Sequence, residues 1–189
     1  MNKSTTAGLK RNMTRVFLTV AIGLSIWTPR AAAQDTLGDL MQMTGSDWLV
    51  GKWVGETPDG QKYEIEYKWA LKNHVLSVHF KGFDIEYHGI IFYKADDEEV
   101  VQIGIDQNGR NGKGTWLAEN GKAVWRNEHP GEYGEVTRMA FVYSKTDAQT
   151  MKAEIHSFDE YGELSEEPGF TLEYKRQKKQ ATKKTTTTR

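Results

Sequence analysis

The chain carries five histidines, 26 Asp/Glu side chains and no cysteine, so any chemistry of its own must come from imidazole, carboxylate or aromatic groups. The missing cysteine removes disulfides, thiolate metal sites and thiol nucleophiles together. His74 and His79 stand five apart on one expected strand, facing opposite sides, and cannot share a metal. His129 precedes Pro130 in a turn-like stretch, and His156 shares parity with the polar residues Lys152 and Glu154. His88 lies among aromatics beside Gly89, where the apolar alternation changes phase, and is the best placed of the five to face inward as a ligand. For all five, a surface or hydrogen-bonded role is the expectation. Glu64, Glu66, Asp84, Glu86, Glu154 and Glu173 alternate with apolar residues, and so fall on the outward face. A general acid needs burial or a close partner, which an outward carboxylate lacks. The run Asp106–Arg110 starts like a calcium loop, but Arg110 holds the fifth position and the later glycine and glutamate are missing. There is no Gly-x-Ser-x-Gly, phosphate-cradling loop or His-Glu-x-x-His. Neither a catalytic residue nor a metal site is expected.

The aromatics carry more information. In Tyr63-Glu64-Ile65-Glu66-Tyr67-Lys68-Trp69 the odd positions are aromatic or aliphatic and the even ones charged. A period of two is a strand with one face buried. Phe83-Asp84-Ile85-Glu86-Tyr87 and Phe170-Thr171-Leu172-Glu173-Tyr174 repeat it, and Met151–Ile155 is a weaker copy. Asp59-Gly60, Asn108-Gly109, Asn111-Gly112 and Asn120-Gly121 are hairpin dipeptides, because Asn, Asp and Gly tolerate positive φ. Together these predict strands near 49–56, 62–69, 74–81, 83–93, 99–106, 113–118, 122–128, 134–144, 149–158 and 169–176. The connections are too short for parallel crossovers. The fold class is therefore all-β: one antiparallel up-and-down sheet of about ten strands, closed into a barrel that leaves no free edge. Two details are expected of it. A β-bulge at His88-Gly89 would bring Phe83, Ile85, Tyr87, Ile90 and Phe92 onto one face; the alternative is that residues 90–92 are buried on both faces. Asp35–Met43, with Leu37, Leu40 and Met41 at helical spacing, is the one helix candidate and would plug one barrel end; a disordered segment is the alternative.

The ends differ from the body. Residues 1–33 hold Lys3, Lys10, Arg11 and Arg15 without an acid, then a 12-residue apolar run Val16–Trp27, then Pro29 and Ala31-Ala32-Ala33. That order reads as a signal peptide cleaved after Ala33, since a membrane-spanning helix needs about 20 apolar residues. Removing it from the 189 residues leaves 156, enough for one core. The expected domains are residues 1–33 as leader, 34–47 as an N-terminal segment, 48–176 as the barrel and 177–189 as a disordered basic tail. The product is expected in the periplasm or outside the cell, soluble once the leader is removed, as a monomer or weak dimer. Residues 34–176 carry 15 Lys/Arg against 26 Asp/Glu, a formal −11 that argues against nucleic acid as a partner.

The first strand, Trp48-Leu49-Val50-Gly51-Lys52-Trp53-Val54-Gly55, resembles the Gly-x-Trp opening of lipocalin-like (calycin) barrels. Its extended form, Gly51-x-Trp53-x-Gly55, also resembles the nitrobindin group, ten-stranded barrels able to hold haem. The closest likeness is to a bacterial family of exported lipocalin-like domains of unknown function, over roughly residues 46–176 and ending on Leu172–Arg176. The resemblance implies an arginine lying across the first-strand tryptophan to close the barrel. Arg176 matches that place for Trp53, and Arg138 is the alternative. The chain departs from nitrobindin where Glu56-Thr57 stand instead of a further glycine, and it lacks that group's late histidine segment; haem is therefore not expected. The functional expectation is a small hydrophobic or amphipathic ligand inside the barrel, among Tyr63, Tyr67, Trp69, Tyr87, His88, Trp116, Phe141 and Tyr143, with Tyr and Trp polar groups as anchors. The alternatives are an enzyme acting on such a ligand and an interaction module whose barrel is filled.

Overall fold

The computed structural model describes residues 35–131, 135–159 and 161–178; the leader expected over 1–33 and all but the start of the expected tail lie outside them. Ten antiparallel strands close into an up-and-down barrel, compatible with the lipocalin-like architecture. They are β1 (Gly51–Glu56), β2 (Lys62–Leu71), β3 (Val75–Gly82), β4 (Ile85–Lys94), β5 (Glu99–Asp106), β6 (Asn111–Glu119), β7 (Lys122–Pro130), β8 (Val136–Lys145), β9 (Thr150–Ser157) and β10 (Phe170–Arg176). Each pairs with its neighbours in sequence, and β10 returns to β1. The period-two pattern sets this directly: on β2, Tyr63, Ile65 and Tyr67 are buried while Lys62 and Lys68 stay exposed.

The closing seam is the shortest ladder, with only Trp53↔Arg176 and Val54↔Lys175 in register. Side chains reinforce it. The Arg176 guanidinium lies 4.0 Å from the centre of the Trp53 ring. It donates to the carbonyls of Val50 (2.9 Å) and Trp48 (2.5 Å). Trp53, fully buried, donates its indole N–H to Leu49 O at 2.9 Å. The two glycines of the opening motif make room for this packing. A Cβ at Gly51 would lie 2.5 Å from Arg176 Nη1, and one at Gly55 would lie 2.3 Å from the Tyr63 ring. Arg138 is elsewhere, pairing with Glu128 on the outer surface.

Three local expectations are corrected. Phe83-Asp84 is not strand but a two-residue hairpin loop, with φ 54° and 57°, between the paired residues Gly82 and Ile85. Asp84 is a type that tolerates positive φ, but Phe83 is not, and neither loop position is a glycine. Phe83 accepts it because its ring stacks on Tyr63 (5.4 Å) and meets Phe170 edge-on (5.9 Å); each such pair is worth about 0.5–1.5 kcal/mol, comparable with the strain of a left-handed residue. Next, β4 has no bulge at His88-Gly89. It runs in unbroken register with both β3 and β5, so Tyr87, Gly89, Ile91 and Tyr93 face inward while His88, Ile90 and Phe92 face out. The register irregularity lies instead on β2, between Trp69 and Leu71. Finally, Asn111-Gly112 is inside β6, because the chain has already turned at Asp106–Arg110, where Asp106 Oδ1 accepts from the N–H groups of Asn108 and Arg110. Asn120-Gly121 is a hairpin turn, with φ of 52° and 76°.

Two additions lie outside the barrel wall. Helix α1 (Leu37–Met43) starts at a Thr36–Asp39 capping box and buries Leu37 and Met41. Its Gly38 N–H donates to Asn73 O in the β2–β3 turn, which seats the helix across the end where β1 begins. On the outer face of β7 and β8, Val124, Ala140 and Val142 form a second small core under Phe158 and Leu164 of the β9–β10 connection. Among the described residues no helix is long and apolar enough to cross a membrane.

The Phe83-Asp84 turn separates strain from packing. Asp84→Gly, which relaxes φ and removes no ring, is expected to raise the urea midpoint. Phe83→Gly relaxes φ equally but should destabilise by about 1–3 kcal/mol through the lost ring contacts. Equal shifts of one sign for both variants in urea melts would contradict this reading.

Candidate functional site

Much of the interior is filled with stacked rings. Trp125 stacks on Phe141 (4.9 Å) and on Trp116 (6.2 Å), and Trp116 stacks on Tyr143 (5.6 Å). Tyr67 meets Trp116 and Tyr143 edge-on, and Tyr87 tilts against Trp125. Glycine on the neighbouring strand β5 gives the Tyr87 ring its space: a Cβ at Gly104 would lie 2.2 Å from the Tyr87 hydroxyl. Gln102, 1% exposed, ties two rings together, since its Nε2 donates to Tyr87 Oη (3.1 Å) and its Oε1 accepts from Trp116 Nε1 (2.9 Å). Among the described residues, Trp125 Nε1 and Asn127 Oδ1 are buried without a hydrogen-bond partner.

Space remains at the end capped by α1. A half-open cavity of about 410 Å³ lies between Leu37, Leu40 and Met41 of the helix and Tyr67, Leu76, Ile91, Tyr93, Val100 and Trp116 of the barrel. Its rim carries Glu98 and Glu99, and among the described residues no Lys, Arg or His lines it. The size is that of small-molecule pockets, about 300–1,000 Å³.

The residues singled out from sequence therefore divide. Tyr67 and Trp116 line the cavity, and Tyr143, Phe141 and Tyr87 pack behind it in the filled region. Trp69 is half-buried against the core without reaching the cavity. Tyr63 belongs to the opposite end, where its hydroxyl donates to Glu173 O at 2.8 Å. His88 is corrected outright: with no bulge to turn it inward, it stands exposed on the outer wall. Sequence reasoning missed Leu76, Ile91, Tyr93 and Val100 as cavity residues. Leu76 and Val100 follow the inward parity of their strands, but Ile91 and Tyr93 lie on the strand whose phase the expected bulge reversed, and which barrel end stays hollow depends on contacts between distant segments.

Burial sets the acid–base character of this interior. Removal from water pushes the Tyr143 hydroxyl up to about 12 and holds Tyr67 and Tyr174 well above the ordinary phenol range. The Tyr143 hydroxyl beside Tyr67 further resists the ionisation of Tyr67. The tyrosines are thus neutral donors and acceptors, suited to orienting a ligand rather than to removing its protons.

His88 does have a partner, on the outside. It is in register with His79 of β3, and the two imidazoles stack at 4.0 Å with planes 9° apart. Glu86 reaches both, its Oε1 lying 3.0 Å from His79 Nε2 and 3.6 Å from His88 Nε2. The His79 contact, with Lys81 beside it, holds the Glu86 carboxyl below the usual carboxylate range. The sequence pairing of His74 with His79 looked along one strand, whereas the meeting is across two.

Comparison with protein-family profiles finds none that matches the chain, and comparison with curated proteins finds no match either.

The buried phenols give a pH dependence with a definite sign. A folded-state pKa raised above the unfolded value of 10.0 stabilises fully below about pH 10, and that stabilisation is lost as pH rises through about 12. In an alkaline titration followed by tyrosinate absorbance, Tyr67, Tyr143 and Tyr174 should ionise only together with unfolding seen by circular dichroism. Ionisation of all eight tyrosines near pH 10 with the barrel intact would contradict the buried assignment.

Proposed function

We propose that the chain is an exported barrel that binds one small hydrophobic or amphipathic molecule at its helix-capped end. The observation that carries this reading is the apolar cavity of about 410 Å³ left between α1 and the β4–β7 rim. Three physical features support it. The cavity is walled by side chains held rigid by the stacked rings behind them, so little ordering cost falls on binding. Tyr67, Tyr93 and Trp116 line it with aromatic side chains, which suits an apolar or planar ligand. The acidic rim, without a basic residue, favours a neutral or cationic molecule over an anionic one. Binding rather than catalysis fits the site, because its phenols are held neutral and its carboxylates, Glu98 and Glu99, are exposed on the rim. Export rests on the leader pattern of residues 1–33.

The test uses an uncharged fluorescent probe, N-phenylnaphthylamine, with the intact chain. Its fluorescence should rise and saturate at one dye per barrel. Ala118→Trp, which fills the cavity mouth from the exposed rim, should weaken the dye by about tenfold or more, roughly 1.4 kcal/mol, while leaving the urea midpoint nearly unchanged. Native mass spectrometry of protein from its own host then reads the resident molecule and the oligomeric state in one spectrum. Dye binding that ignores Ala118→Trp, or a bare mass in repeated preparations together with no dye binding, would remove the proposal.

A further inference from the structure

A second group of side chains outside the cavity has its own chemistry. Across the outer wall, Lys52, Glu66, His79, His88 and Ile105 form one row of register partners from β1 to β5. At its centre His79, Glu86 and His88 each offer one ligand atom, and the three atoms lie within 4.8 Å of one another. We propose that His79 Nε2, His88 Nε2 and a Glu86 carboxylate oxygen form a surface site for one late first-row divalent ion, zinc foremost.

The distances suit this class of ion once the two rings, stacked at 4.0 Å with planes 9° apart, turn out of parallel so that their in-plane lone pairs converge. Zinc binds imidazole nitrogen at about 2.0–2.1 Å and carboxylate oxygen at about 2.0–2.2 Å, which in tetrahedral geometry separates neighbouring ligand atoms by about 3.4 Å. The observed separations from Glu86 Oε1, 3.0 Å and 3.6 Å, bracket that value. Two imidazoles with one carboxylate is a donor set for zinc or copper rather than for calcium or magnesium, which take oxygen. The backbone holds the set in place. The histidines sit opposite each other in a ladder that runs without a break from Val75↔Phe92 to Gly82↔Ile85. Glu86 is anchored through its own N–H, which donates to Gln107 Oε1 at 2.5 Å, while Gln107 Nε2 donates to Asp84 O at 2.5 Å. The tight Phe83-Asp84 loop therefore fixes the Glu86 backbone beside the histidine pair. With three protein ligands, the remaining coordination position faces solvent, since His88 is exposed. Lys81 stands 3.9 Å from Glu86 Oε2 and is the one cation among these contacts; it opposes the ion and sets a moderate rather than tight affinity.

Calorimetric titration of the purified full chain with zinc chloride, in a non-chelating buffer near neutral pH, tests this. One zinc per chain is expected. His79→Ala combined with His88→Ala should weaken binding by at least about thirtyfold, and Glu86→Gln by about tenfold. Urea melts of the metal-free variants verify that the barrel is retained, as expected for side chains on the outer wall. Cobalt supplies a second readout on the unaltered protein: visible absorption of tetrahedral intensity that zinc abolishes on addition. Absence of saturable one-to-one binding would overturn the proposal. So would an unchanged isotherm in the double variant, which would move the ion to His74, His129, His156 or the expected tail. Because the site lies on the outer wall, none of these outcomes bears on dye binding in the cavity.

Discussion

A ten-stranded sheet can hide its rings only if its first and last strands meet, and here they meet over two register pairs. So short a ladder contributes little by its backbone hydrogen bonds, each worth about 1 kcal/mol net. The Trp53–Arg176 contact makes up the difference. A guanidinium over an indole is attracted to the ring face, and the same planar group still has donors for two carbonyls at the start of β1. Lysine could not do both. The motif glycines, Gly51 and Gly55, follow from this contact and from the Tyr63 ring beside it, since neither position has room for a side chain. Closure thus explains why the opening strand has the composition it has.

Once closed, the barrel has an uneven interior. Through its middle, four stacked rings and the Gln102 bridge occupy the space, leaving a scaffold rather than a channel. Toward the start of β1, beyond Tyr67 and Trp116, the lining is Leu76, Ile91, Tyr93, Val100 and Ala123, and α1 closes over what remains. A filled half and a hollow half in one barrel reconcile two readings that the composition alone sets against each other. The filled half stiffens the walls of the hollow one, and buried phenols that resist ionisation supply polar contacts without acid–base reactivity.

The barrel was legible in the sequence because its signal is redundant: Tyr63, Ile65 and Tyr67 repeat the same inward parity that Leu172 and Tyr174 show a hundred residues later. What was not legible depends on contacts between distant segments. Phe83-Asp84 looks like strand by alternation, and only Tyr63 and Phe170 make a left-handed phenylalanine tolerable there. β4 is apolar on both faces, with Ile90 and Phe92 outside and Ile91 and Tyr93 inside, so the apolar pattern alone suggests a change of phase at His88-Gly89 that the unbroken register does not have. The same turn, correctly placed, puts His88 opposite His79. Val124, Ala140 and Val142 lie on the outward parity and would read as wet, until the β9–β10 connection is folded over them. Of the candidate site, Tyr67 and Trp116 were found from parity; the helix residues that complete the cavity were visible only as a short amphipathic run.

The closing contact is measured most directly by a double-mutant cycle in urea melts, with Trp53→Leu, Arg176→Gln and the pair. Trp53→Leu alone should cost about 2–4 kcal/mol, as removal of a fully buried large ring does. If the guanidinium and the indole hold the seam jointly, the pair should lose about 1–2 kcal/mol less than the two single losses added together. Strict additivity would mean that Arg176 and Trp53 stabilise the barrel independently, and that the seam is held by something other than their contact.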